Sequence, residues 1–69
     1  MTPNPILMTI RTKKLGVLIR DARLATGMSV EECAQAVGVT PSRFEGYEFG
    51  EESPSLPELE ILAYTLRVP

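Results

Sequence analysis

Few groups in this chain could do covalent chemistry. There is no histidine and one cysteine, Cys33, in the stretch "VEECAQAV". Its helical spacing with Val30, Ala34 and Val37 reads as core packing rather than as a reactive thiol. One thiol and no imidazole exclude an internal disulfide and the ordinary ligand set of a zinc site. Nine carboxylates remain, Asp21 and eight glutamates. General acid–base work by carboxylates needs a cleft, and nothing in the pattern suggests one. A nucleophile–base constellation and a phosphate-binding glycine loop are also missing. The chain reads as a non-enzyme without a cofactor, so its polar side chains should serve recognition.

Those side chains are unevenly placed. Residues 1–30 hold Arg11, Lys13, Lys14, Arg20 and Arg23 against Asp21, whereas residues 31–69 hold Arg43 and Arg67 against all eight glutamates. The net charge of −2 therefore hides a dipole, basic in its first half and acidic in its second. The stretch "RFEGYEFGEESPS" is the most acidic, with Glu45, Glu48, Glu51 and Glu52 around Arg43.

The elements that would position these charges are helical. Sixty-nine residues make one domain near the lower size limit for a self-sufficient core, and 43% apolar content suits a globular chain. No apolar run approaches the roughly 18–20 residues of a membrane span, and the start lacks the pattern of a signal peptide. A cytoplasmic protein is the expectation. Pro3 and Pro5 suggest an irregular N-terminal arm over residues 1–11, pinned by Ile6, Leu7 and Ile10. The domain proper spans 12–69 and reads as a fragment of a longer chain. A first helix is predicted from about Lys13 to Thr26, with Thr12 as N-cap, Leu15, Leu18, Ile19 and Ala22 inward, and Gly27 as the stop.

Ser29 and Glu32 form an S-x-x-E capping box for a short second helix that ends at Gly38. Thr40 can cap a third, about 40–49, with Pro41 in its first position, Phe44 and Tyr47 as its apolar face, and Gly50 as its stop. Ser55 and Glu58 form a second box, opening a fourth helix whose Leu56, Leu59, Leu62, Ala63 and Leu66 turn inward. Val68 is expected in the core, and Pro69 could begin a fifth helix. Two short helices joined by a glycine turn, flanked by amphipathic helices, describe an all-α helix-turn-helix domain.

The same residues resemble the Cro/CI-type, lambda-repressor-like helix-turn-helix family. The likeness covers about Leu15 to Pro69. It rests on Arg23 before Gly27, small Ala34, the Gly38-Val39 turn, the E-x-G-x-x-x-P-S segment (Glu48, Gly50, Pro54, Ser55), L-x-x-L-A and the closing L-x-V-P. It implies a compact four-helix domain, five if Pro69 begins another, that binds double-stranded DNA as a homodimer. The dimer contacts would lie on the fourth helix or beyond Pro69. By resemblance, Arg23 and Glu48 form a partly buried ion pair; the plain alternative is two unrelated surface charges.

The third helix would enter the major groove with Pro41, Ser42, Arg43, Glu45 and Gly46 facing the bases. Only Arg43 among them offers a bidentate fork for guanine, or else a phosphate contact. Ser42 discriminates little, and Glu45 is either a cytosine acceptor or a solvated charge. Phosphates would fall to Arg11, Lys13 and Lys14 and to backbone amides at helix starts, Val30 and Thr40. The arm cations could equally be a solvated tail. Glu51 and Glu52 stand where relatives carry cations, which argues against strong DNA binding. The rival expectation is a protein-interaction module that keeps the fold and binds no DNA, as in bacterial membrane-anchored cell-shape proteins, with Phe49 or Tyr64 as partner anchor.

Overall fold

A computed structural model describes residues 5–67, so the roles expected of Pro3, Val68 and Pro69 lie outside them. Among the described residues the fold is all-α, with four helices: α1 (Pro5–Thr26), α2 (Val30–Val37), α3 (Pro41–Glu48) and α4 (Leu56–Thr65).

Local signals set most boundaries. Ser29 and Ser55 each accept the backbone N–H of the residue three further on, and Glu32 and Glu58 each accept the N–H of their serine, so both capping boxes are complete. Thr40 Oγ1 accepts from Arg43 N at 3.2 Å, and Pro41 occupies the first turn of α3. Gly38 ends α2 at φ 87°, in the left-handed region that a Cβ disfavours, and its N–H donates to the Ala34 carbonyl at 2.8 Å. Only Gly38, Val39 and Thr40 separate α2 from α3.

The start of α1 differs from expectation. The helix begins at Pro5, not Lys13, and Thr12 lies inside it rather than capping it. Proline at a first helical position loses no hydrogen bond, and no residue between Pro5 and Thr12 stops propagation. The segment expected as an arm is therefore helical from Pro5 onward. Ile6 and Ile10 are exposed on it, outside the core.

The core consists of Ile19, Cys33, Ala34, Val37, Phe44, Tyr47, Leu62 and Leu66, with Leu15, Ala22, Met28, Val30 and Val39 packed around it. Phe44 and Tyr47 meet edge to face, with centroids 6.3 Å apart. α1 packs on α3, and α2 packs on both α3 and α4. Three residues expected inward are not: Leu18 and Leu56 are 65% and 70% exposed, and Ala63 is exposed too. α1 and α4 stand apart across an open apolar groove of about 500 Å³, with Leu18 and Ala63 on its rims and Ile19, Leu62 and Leu66 deeper within. Leu56 sits in the first position of α4, before the helix turns onto the core.

One contact decides how closely α1 lies on α3. A Cβ built on Gly16 would come within 2.5 Å of the carbonyl oxygens of both Tyr47 and Glu48. The helices touch backbone to backbone there, and only glycine permits it.

Candidate nucleic-acid interface

Phe44 and Tyr47 are fully buried, and this fixes the roll of α3. Pro41, Ser42, Arg43 and Glu45 then emerge on its solvent side. Gly46 does not join them. It is buried, because Glu52 folds back over it, with Oε2 3.1 Å from where a Gly46 Cβ would stand. The loop is drawn there by its own backbone, since Glu51 N and Glu52 N both donate to the Gly46 carbonyl, at 2.9 and 3.2 Å. Of the residues expected to face bases, Gly46 is thus buried, with the Glu52 carboxylate standing over it. Phe49, 63% exposed, follows next to this loop.

Arg43 is exposed but held. Its Nε donates to Tyr47 Oη at 3.0 Å, and Tyr47 Oη donates in turn to Glu58, with both carboxylate oxygens at 3.1 Å. The Tyr47 hydrogen bond, with lesser help from Glu52 and Glu58, raises the Arg43 pKa, so its charge is permanent. Burial, assisted by Glu58, pushes the Tyr47 phenol up and keeps it protonated. Accepting from Ser55 N–H, with Tyr47 contributing, holds Glu58 below the usual carboxylate range. Sequence reasoning placed Tyr47 in the core and Glu58 in a capping box. It missed that Tyr47 also accepts from Arg43 and donates to Glu58, linking the cap to the cation.

Behind the interface, Arg23 Nε donates to Glu48 Oε2 at 2.6 Å and Nη2 to Oε1 at 3.1 Å, a two-point fork. Arg23 Nη1 also donates to the Met28 carbonyl at 3.2 Å. Both side chains are mostly buried, at 13% and 6% exposure. This ties α1 and the turn before α2 to the end of α3. The hydrogen bond to Glu48 raises the Arg23 pKa. Cys33, fully buried, has its thiol pushed up by burial, which suits an inert packing residue.

The expected phosphate contacts are dispersed. Arg11, Lys13 and Lys14 are all exposed on α1, but Arg11 and Lys13 point about 200° apart around the helix. Lys13 is brought to the loop after α3: its Cα and Cγ would lie 2.8 and 2.7 Å from a Cβ on Gly50, next in sequence to Glu51 and Glu52. At the start of α2, where Val30 is half-buried, the capping box uses the amides of Ser29 and Glu32, and the carboxylates of Glu31 and Glu32 stand in the first turn. Thr40 is exposed, with its hydroxyl engaged as the α3 cap.

A short helix locked by a three-residue turn to a second helix, whose outer face stays open, defines a helix-turn-helix protein. The model of a helix-turn-helix domain family matches residues 14–69. The chain belongs to that family. Comparisons with curated proteins and with solved structures each gave no match. No described helix is long and apolar enough to cross a membrane.

Proposed function

We propose that this chain is the DNA-binding domain of a transcriptional regulator of the Cro/CI type. The observation that carries the reading is the pose of α3: Phe44 and Tyr47 are locked inside while Ser42, Arg43 and Glu45 face solvent on a rigid support. In such domains the second helix of the pair lies in the major groove and its first turns touch base edges. Arg43 supplies the fork for guanine or phosphate, and Ser42 and Glu45 supply weaker contacts. Lys13, drawn beside the loop after α3, supplies a cation where Glu51 and Glu52 otherwise repel phosphate. One such face is too small for tight specific binding, so the working form is a homodimer on a two-fold operator.

The test is selection from a random duplex library at low salt, with the domain fused to a dimerising helix. The expected outcome is an enriched palindromic motif whose affinity falls as salt rises. A folded protein that enriches no sequence overturns the reading. It would favour a protein-interaction module, for which the exposed Phe49, the 89% exposed Tyr64 and Glu52 over the α3 surface speak.

A further inference from the structure

We infer that Tyr47 and Glu58 are positioning residues for Arg43, holding its guanidinium so that the two terminal nitrogens present a fork to a planar pair of acceptors on duplex DNA. The inference rests on the proposed DNA-binding function and names how its one exposed α3 cation is aimed.

Arg43 is anchored by one edge only. Nε donates to Tyr47 Oη, and among the described residues neither Nη1 nor Nη2 makes a hydrogen bond. Tyr47 is itself fixed at both ends. Its ring is wholly buried against Phe44, and its hydroxyl proton is committed to Glu58. That commitment leaves an Oη lone pair for Arg43 and polarises it by the carboxylate beyond. The Glu58 carboxylate in turn accepts the Ser55 N–H at the start of α4, at 2.8 Å, while the Glu58 N–H donates back to Ser55 Oγ. The relay thus runs from a helix cap through a core ring to a surface cation. A free arginine loses much rotamer freedom on binding, and one already tethered loses less. The free end, with two parallel N–H groups, matches either O6 and N7 of a guanine or two oxygens of a phosphate.

The test is a double-mutant cycle on the chain itself, using Tyr47→Phe, Arg43→Ala and both together. Fluorescence anisotropy at low salt would follow binding to an enriched duplex and to a scrambled one. Tyr47→Phe keeps the buried ring, and circular dichroism checks that it folds. It should weaken binding on the order of 2- to 10-fold, the cost of re-ordering one long side chain. The same change in the Arg43→Ala background should do nothing further. A loss confined to the enriched duplex, with relaxed preference at one base pair, assigns the fork to guanine. An equal loss on both duplexes, with a salt slope shallower by about one, assigns it to phosphate. Either supports positioning. Tyr47→Phe binding as well as wild type, or weakening the Arg43→Ala protein by the same factor, overturns it and leaves the DNA-binding function intact. A wild-type chain that binds neither duplex, alone or fused to the dimerising helix, removes both.

Discussion

Gly16 and Gly46 both sit within helices, and their surroundings give them opposite weights. Replacing a mid-helix glycine by alanine ordinarily gains up to about 1 kcal/mol. At Gly16 the new Cβ would strike two backbone carbonyls at 2.5 Å, which cannot move without separating α1 from α3. Overpacking of this kind costs roughly 1–3 kcal/mol, so Gly16→Ala should lower the melting temperature by several degrees in so small a domain. At Gly46 the obstacle is the free end of Glu52, which can swing away. Gly46→Ala should therefore raise the melting temperature; a drop there would mean that Glu52 is held more firmly than its exposure suggests. Neither role was legible in the sequence. "LGVLIRD" shows a glycine in a helix but not the helix it touches; Gly46 joins the base-facing set only by family resemblance, and the loop that covers it has no periodicity to read. Arg23 and Glu48 were legible only through family resemblance, since 25 residues separate them. The hydroxyl end of Tyr47 escaped for the same reason: its spacing announced a core ring, and its partner Glu58 stands 11 residues away.

At the scale of the elements, caps were the clearest signals. Both S-x-x-E boxes and the Thr40-Pro41 start are local chemistry, complete within four residues, and they stand where expected. The start of α1 was not legible, because Thr12 carries the same capping preference inside a helix as before one. The inward face of α4 was only half legible: Leu62 and Leu66 are buried, but Leu56 and Ala63 follow the same pattern onto an open side. The boxes also carry a pH dependence. Glu32 and Glu58 each accept the backbone N–H of their serine, which holds both below the usual carboxylate value. A lowered folded pKa gives stability that is present above the unfolded value, about 4.3, and is lost as pH falls through the folded value. The melting temperature should decline on acidification from about pH 5 downward, and less steeply in a Glu32→Gln, Glu58→Gln protein. Parallel acid limbs in the two proteins would show that other groups govern the loss.

Across the whole molecule, the opposed charges of the two halves meet in the buried Arg23–Glu48 pair and again at an outer seam, where Lys13 of α1 lies against Gly50 of the loop that holds Glu51 and Glu52. A duplex approaching α3 would meet both signs there. Reversing Glu51 and Glu52 to lysine adds two units of charge at each position, taking the net value from −2 to +2. If that seam faces phosphate, binding to an arbitrary duplex at low salt should tighten, with a salt slope steeper by about two. Unchanged binding would place DNA elsewhere on the surface. The backbone contact at Gly16 has a separate consequence, for the order in which the chain folds. α2 and α3 are neighbours in sequence and can pair after closing a three-residue turn, whereas Gly16 must find carbonyls more than 30 residues away. Closing that longer loop costs more entropy, so α1 docks late, onto a hairpin already formed. An obstruction at Gly16 should then speed unfolding and leave the folding rate nearly as it was.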